Sequence, residues 1–248
     1  MMKVDEFIKQ LEKAASCNTL YVMGCFGSPM TPSNKTRAKN EHPYNKRPER
    51  AKMIDAAAAD CFGFDCVNLI KGILWGWNGD TSRSYGGAVY KSNNVPDLGA
   101  DSFFRLCHIR YTDFSNIQPG AAVWMPGHIG IYVGGGKVIE CSPRWKNCVQ
   151  YTNLGNIGNK TGNWREWKEW GFIPFVDYPN DRTGYPDKNG LYNSVDECPG
   201  WTHEAVQWFI DEHIIQGTNN SGALGLDSKT LRILVIIYRT LKNRGLIK

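Results

Sequence analysis

The strongest periodic pattern in the sequence is a helix that begins at Cys66. Apolar residues recur there every three or four positions, at Val67, Ile70, Leu74 and Trp77. This spacing predicts a helix with one broad buried face. Asp65 directly precedes the stretch and is a suitable N-cap, so Cys66 is expected in the first helical turn.

Strand patterns dominate the middle of the chain. Three short runs rich in β-formers, 121–125, 128–133 and 137–142, are separated by a Pro-Gly pair and by three consecutive glycines. The last two runs flank the glycine triplet, which predicts a β-hairpin.

The two faces of this hairpin follow from the length of its loop. If all three glycines form the loop, Val133 pairs with Lys137, whereas a two-residue loop breaks this parity. The apolar core face then carries Ile129, Ile131, Val133, Ile139 and Cys141. The other face carries His128, Gly130, Tyr132, Val138, Glu140 and Ser142. Glu140 lies diagonal to His128, about 7–8 Å away at the backbone, and Gly130 is expected to leave an open spot between them.

The chain also changes character along its length. Turn-forming residues are dense from Asp177 to Gly190, and less so up to residue 200, which predicts a linker over 179–200. Beyond it, Trp201–His213 and Leu231–Leu241 show helical stripes. We therefore expect an α+β domain over 1–178 and a small helical unit over 201–248. The second of these helices has Asp227 or Ser228 as its N-cap candidate and Gly245 just past its end.

Length and composition are those of an ordinary globular protein. The chain has 248 residues, of which 42% are hydrophobic and 21% charged. No apolar run approaches the ~20 residues of a membrane-spanning helix, so no membrane insertion is expected. The segment Met1–Cys17 reads as an amphipathic helix and lacks the apolar stretch of a signal peptide. This predicts synthesis in the cytoplasm without an export signal.

The net charge of +5 is concentrated in one segment. Between Lys35 and Lys52, seven basic residues stand against two acidic ones. Its proline and asparagine content predicts a loop. The loop is either simply solvated or attracted to a polyanion such as a wall polymer. No other feature indicates a nucleic-acid partner.

The eight cysteines are expected to be mostly free thiols, because the chain is large and has no secretion signal. Neither a Cys-x-x-Cys pair nor another structural-zinc spacing is present, so no metal or cofactor is predicted.

Cys66 and His128 form the candidate catalytic pair. At a helix N-terminus, unpaired backbone N–H groups favour a thiolate and can hold an oxyanion. His128 would take the thiol proton and later return it to the leaving amine, while Glu140 fixes the tautomer. Cys61 is the weaker candidate because it precedes the helix.

These motifs resemble those of the NlpC/P60 family of papain-like wall peptidases. The resemblance rests on Phe64-Asp65-Cys66 before an apolar helix and on Gly127-His128-Ile129-Gly130-Ile131-Tyr132-Val133. It implies an α+β fold in which the cysteine helix packs on a small antiparallel sheet, and hydrolysis of amides in the peptidoglycan stem. It also implies that a third polar residue, here Glu140, follows the histidine, and that Asp65 contacts the substrate's amino group. Val67-Asn68 replaces the usual Ser-Gly.

The C-terminal unit resembles a surface-layer-homology repeat, on Ala205-Val206-Gln207-Trp208, Ile214–Gly217 and 231–239. A catalytic head with a wall-binding tail resembles a bacteriophage endolysin. This implies bacterial peptidoglycan and a wall polymer as partners, reached at host lysis or through a holin-type pore.

Several alternatives stay open at this stage. Trp164, Trp167 and Trp170 are expected as aromatic core, with a platform for sugar rings as the alternative. Tyr21 and Trp124 are candidate groove walls. The same Cys-His pair would also suit a cysteine isopeptidase acting on proteins, and a catalytically inactive wall-binding protein is the third possibility. The sequence leaves open which amide is cut.

Overall fold

Helices and strands are mixed along the chain, which confirms the predicted α+β class. The structure is a computed structural model that describes residues 1–107, 110–158, 160–178, 186, 190–217 and 222–247. It divides into two units, Met1–Asp177 and Tyr178–Lys248. Within the described ranges, no helix combines the length and apolar character that crossing a bilayer requires.

The described residues of the first unit form five α-helices. They are α1 (Val4–Ser16), α2 (Pro32–Glu41), α3 (Pro48–Ala56), α4 (Cys66–Leu74) and α5 (Ala100–Phe104), with a 3-10 helix at Pro43–Lys46. The helix predicted after Cys66 is thus confirmed as α4.

The basic segment is not the loop that the sequence predicts. It forms most of α2, the 3-10 helix and most of α3. Its prolines, Pro43 and Pro48, occupy the first helical positions, where a missing N–H costs nothing. The Thr31 side chain, before the segment, caps α2. Ala38 and Ile54 anchor these helices in a small core with Val22 and Met30.

Three sheets complete the described part of the first unit. Their strands are β1 (Met2–Lys3), β2 (Thr19–Tyr21), β3 (Phe26–Pro29), β4 (Phe62–Phe64), β5 (Arg110–Tyr111), β6 (Ala122–Met125), β7 (His128–Gly134), β8 (Lys137–Ser142), β9 (Cys148–Leu154), β10 (Trp164–Arg165), β11 (Glu169–Gly171) and β12 (Val176–Asp177). The largest sheet has the order β10-β9-β8-β7-β6-β11-β5, and the others are β2-β4-β3 and β1-β12. Helix α4 contacts β3, β7 and β8, so it lies between two sheets.

The β7–β8 hairpin has the predicted register but a different loop. Ile131 pairs with Ile139, and Tyr132 pairs with Val138, as expected. The predicted Val133–Lys137 pair is wrong, because Gly134 pairs with Lys137 and a bulge lies between Tyr132 and Gly134. The loop is one residue shorter than predicted, and the bulge accommodates the extra residue within β7. The side chains before the bulge therefore keep the two faces that the sequence predicts.

The second unit has its own small core. It contains β13 (Leu191–Tyr192), a 3-10 helix (Gly200–Thr202), α6 (His203–Asp211), β14 (Leu226–Asp227) and α7 (Ser228–Asn243). The Asp227 carboxylate accepts from the backbone N–H of Thr230 at 2.7 Å, so Asp227 is the N-cap of α7. Residues on α6 and α7, including Phe209 and Leu231, are buried together.

The predicted linker is too long at its C-terminal end. Tyr192 and Cys198 are buried in the core of the second unit, and β13 pairs with β14. Residues 191–200 therefore belong to this unit, because their apolar side chains are needed to close its small core. Residues 179–185 and 187–189 of the predicted linker lie outside the described residues.

Candidate active site

Cys66 is the first residue of α4, as predicted, and Asp65 caps the helix. One oxygen of the Asp65 carboxylate accepts from the backbone N–H of Asn68 at 2.8 Å. The other accepts from the Asn68 side chain at 2.7 Å and from the backbone N–H of Gly24 at 2.8 Å. Burial raises the pKa of Asp65, against these hydrogen bonds. The capping carboxylate thus ties the start of α4 to the loop after β2.

The Cys66 thiol is buried next to the strand that carries His128. The backbone N–H groups of Ile129 and Val67 lie close enough to its sulfur to lower the pKa of the thiol. Burial, followed by the charge of Asp65, nevertheless raises the pKa of the thiol to about 12. The N–H groups at the start of α4 act in the expected direction and lower the pKa, but desolvation outweighs them. Attack by this sulfur requires a base that removes its proton.

His128 contacts Glu140 as the hairpin register predicts. Nε2 of the imidazole lies 2.6 Å from Oε2 of the carboxylate. Glu140 is fully buried, and the His128 side chain is 15% exposed. Since Nε2 faces the carboxylate, Nδ1 is the ring nitrogen left for another partner.

Glu140 has two further partners that the sequence did not reveal. The hydroxyl of Thr152 donates to it at 2.8 Å, and Nε of Arg165 lies 2.9 and 2.7 Å from its two oxygens. Burial alone would raise the pKa of Glu140, but His128, Arg165 and Thr152 together lower it. Arg165 also donates to the Ser142 hydroxyl at 2.8 Å. The carboxylate is thus held ionised and fixed in orientation.

The face of the hairpin that carries His128 and Glu140 is covered, so the predicted open spot at Gly130 is absent. The indole of Trp167 stacks on the imidazole, with ring centroids 5.5 Å apart and planes at 13°. A Cβ atom at Gly130 would lie 3.2 Å from this indole. Trp167 and Trp170 are buried, which confirms them as aromatic core, whereas Trp164 is partly exposed.

A cleft of about 450 Å³ opens at Cys66. Its lining includes Tyr21, Asp65, Asn68, Lys71 and Asp97. The buried Lys71 ammonium pairs with Asp97, which also accepts from the Tyr90 hydroxyl at 2.7 Å. The cleft thus offers both charged and aromatic groups to a substrate. The roles of Tyr21 and Asp65 in substrate binding stay predictions.

Trp124 lies next to the turn that precedes His128. Its indole N–H donates to Asp101 at 2.8 Å, and its ring stacks on Phe104 with centroids 5.5 Å apart. The same Asp101 carboxylate accepts from the backbone N–H of Gly127 at 2.7 Å. Trp124 therefore helps to hold the β6–β7 turn, and its predicted role as a groove wall stays a prediction.

The basic segment hydrogen-bonds to the backbone of two residues that line the cleft, Tyr21 and Met23. The buried Arg50 guanidinium donates to the carbonyl oxygen of Tyr21 and to the side chain of Asn147 at 2.7 Å. Asn45, also fully buried, hydrogen-bonds to both the N–H and the carbonyl of Met23, at 3.1 and 2.8 Å. Part of this segment is thus structural, and attraction of its exposed cations to a polyanion stays a prediction.

All eight cysteines lie in the described ranges and carry free thiols. In the same ranges, no group of three His, Cys, Asp or Glu side chains gathers in a way that would hold a metal ion. A scan of the sequence against models of known protein families finds no match, and a search of curated proteins finds none either.

Proposed function

We propose that this protein is a cysteine hydrolase of the NlpC/P60 type, with a papain-like catalytic domain, that cleaves an amide of the peptidoglycan stem. The observation that carries the proposal is the His128–Glu140 contact of 2.6 Å. It lies at the start of the strand whose next residue, Ile129, has its backbone N–H close enough to Cys66 to lower the pKa of the thiol. A buried carboxylate, an imidazole and a cysteine at a helix N-terminus are the groups that thiol-dependent acyl transfer needs.

In the proposed mechanism, Nδ1 of His128 takes the proton of the Cys66 thiol as the sulfur attacks the amide carbonyl. Backbone N–H groups at the start of α4 stabilise the oxyanion of the tetrahedral intermediate. The C–N bond then breaks, and the imidazolium gives its proton to the leaving amine. Water, deprotonated by His128, hydrolyses the thioester to a carboxylic acid and restores the thiol. Glu140 stabilises the imidazolium in each half-reaction.

The raised pKa of the Cys66 thiol fits a general-base mechanism better than a resting thiolate. Attack and proton transfer are then coupled, so His128 is needed for the thiol to react at neutral pH. The C-terminal unit would hold the enzyme on a wall polymer. A layout of this kind suits an endolysin that meets the wall when a bacteriophage host is lysed.

The proposal is tested with purified Gram-positive walls. We expect the protein to clear a wall suspension and Cys66→Ala to abolish clearing, while Cys61→Ala, a matched change at another buried thiol, keeps it. Mass spectrometry of the released muropeptides then names the bond from its new termini. Clearing by Cys66→Ala, or no cleavage of walls by the wild type, would contradict the proposal. Cleavage of protein isopeptides instead of walls would favour the isopeptidase alternative.

A further inference from the structure

A second depression, of about 310 Å³, lies beside the His128–Glu140 pair. Its lining includes Met125, Arg144, Trp145, Trp164, Arg165 and Glu166. Met125 is the cross-strand partner of His128, and Arg165 binds Glu140. Gly127, two residues beyond Met125, lines the cleft of Cys66. The β6–β7 segment thus lines both the cleft of Cys66 and the second depression, and Met125 of the second depression lies directly across the strand pair from His128.

Two partly exposed indoles and two guanidinium groups form the walls of this depression. The guanidinium carbons of Arg144 and Arg165 lie 4.6 and 4.7 Å from the centroid of the Trp145 ring. Trp164 has the ammonium of Lys160 at 5.0 Å from its centroid. Indoles offer flat apolar area with a polar edge, and the cations over them supply hydrogen-bond donors at the same surface.

The loop that carries Arg144 and Trp145 is held in place by the side chain of Gln150. The buried Gln150 side chain donates to the carbonyl of Arg144 at 2.8 Å and accepts from the N–H of Lys146 at 3.3 Å. Trp145 itself has φ of +61°, a left-handed conformation that bulky residues rarely adopt. Such a conformation persists only where the surroundings impose it, and it concentrates at functional sites. The indole is therefore presented in a fixed position.

The charges of the depression nearly cancel. Arg165 is paired with the buried carboxylate of Glu140, and the Glu166 carboxylate lies 3.4 Å from the ammonium of Lys160, so the exposed guanidinium of Arg144 supplies the remaining charge. A polyanion would gain little from such a surface, because most of its cations already face a carboxylate. A neutral ring with one apolar face and a rim of hydroxyl and amide groups fits better, because the lining offers aromatic area, donors and an acceptor together.

We infer that this depression binds a sugar ring of the peptidoglycan glycan strand, while the stem peptide occupies the cleft at Cys66. This inference rests on the proposed function and narrows it, because the scissile amide then lies close to the glycan. The enzyme would act on the sugar-proximal part of the stem and would recognise both the sugar and the peptide.

The test compares two soluble substrates with the same amides. One is a stem peptide that carries the disaccharide, and the other carries only the lactyl group in its place. We expect the wild type to prefer the disaccharide substrate in kcat/KM. Arg144→Ala and Trp164→Ala should each lower this preference by about tenfold, the factor that one lost aromatic or charged contact is worth. Arg144 is exposed, so its removal leaves folding intact.

Matched controls are Arg83→Ala and Tyr151→Ala, which remove exposed side chains of the same kinds elsewhere on the first unit. Both should keep the preference of the wild type. Equal kcat/KM values for the two substrates in the wild type, unchanged in Arg144→Ala, would overturn the sugar site and leave the hydrolase standing.

A binding measurement decides the sugar site even if no substrate is cleaved. The disaccharide is titrated into the Cys66→Ala protein, and the indole N–H resonances are followed by NMR. Saturable shifts that Trp164→Ala and Arg144→Ala weaken support the inference, whatever the fate of the proposed hydrolase. An absence of shifts, or shifts caused only by a sulfated polysaccharide, would overturn it.

Discussion

Glu140 is the residue on which the candidate site converges. Its carboxylate is fully buried and contacts an imidazole, a hydroxyl and a guanidinium. A buried carboxylate with fewer partners would protonate or distort the site, so these contacts keep it charged. Arg165 and Thr152 are therefore as much a part of the arrangement as His128.

Replacing Arg165 by Met should expose this dependence. The change leaves the buried Glu140 charge without its guanidinium, and the free energy of unfolding should fall by about 3 kcal/mol. The acid limb of kcat/KM against pH should move to higher pH, since the carboxylate then holds the imidazolium more strongly. Urea unfolding and a pH–rate profile measure the two effects.

Two further variants separate charge from packing in this prediction. Arg165→Lys should recover part of both losses because it restores a cation. Combining Arg165→Met with Glu140→Gln should cost less stability than the sum of the single changes. Strict additivity would mean that the two side chains do not interact energetically.

The lowered pKa of Glu140 also predicts an acid sensitivity. A carboxyl whose pKa is below its ordinary value of 4.5 in the folded protein stabilises the fold above that value. The contribution is lost as the pH falls through the lowered pKa, because the unfolded chain then binds more protons. Between about pH 5 and pH 3, the thermal midpoint of the wild type should therefore fall more steeply than that of Glu140→Gln. Parallel slopes would contradict the assignment.

The sequence predicted some residues of this site, His128 and Glu140 among them, but not Arg165. His128 and Glu140 could be paired because strand alternation and a short loop fix which side chains meet across a hairpin. Arg165 could not be found this way. It comes from β10, which joins the sheet through a parallel pairing with β9 after a long connection, and no local pattern marks that approach.

At the scale of elements, α4 is buried along its whole length. All nine of its residues are buried, including Lys71 and Gly72, although the sequence predicted a single buried face. The helix lies between β3 on one side and β7 and β8 on the other. Gly72 permits this arrangement, because a Cβ atom there would collide with the carbonyl oxygen of Phe26.

Gly72→Ala should therefore displace the helix that carries Cys66. We expect a loss of about 2 kcal/mol in unfolding free energy, since the clash is with backbone and cannot be relieved by a rotamer change. Wall hydrolysis should fall by about 100-fold if the helix shifts by about 1 Å. Gly99→Ala is the control for stability, since a Cβ there meets nothing within 4 Å. Similar thermal midpoints for the two variants would refute the close-contact argument.

The basic segment shows why element boundaries were harder to predict than strand pairing. Proline is common in loops and at the first position of helices, and the two situations look alike in a single sequence. The difference lies in tertiary contacts, here the burial of Ala38 and Ile54 against residues distant in the chain. Because the sequence pattern does not show these contacts, it predicted a loop where the structure has helices.

At the scale of the whole molecule, each unit has its own buried core. The candidate catalytic residues all belong to the first unit, and the second closes around α6, α7 and the β13–β14 pair. A core this small depends strongly on each of its large side chains.

Leu231→Ala tests this dependence in the second unit. Leu231 is 1% exposed, and its truncation should cost about 2–5 kcal/mol, enough to open so small a unit. Hydrogen exchange in α6 and α7 should accelerate and sedimentation with walls should be lost, while soluble muropeptides are still cleaved. Ile233→Ala, a similar truncation at a side chain that is 57% exposed, should leave exchange unchanged. Equal exchange in both variants would argue against a separate core.

The bulge in β7 has a consequence for how this fold tolerates change. Since one surplus residue is stored within the strand, the spacing of the glycine turn and the alignment of His128 with Glu140 are uncoupled. A glycine added to or removed from the turn can be compensated at the bulge, without sliding one strand past the other. The hairpin thus tolerates a change of loop length at its glycine turn. The register at its other end, where His128 and Glu140 lie, is kept. Insertions and deletions in variants of this protein should therefore be tolerated best in the glycine turn between β7 and β8.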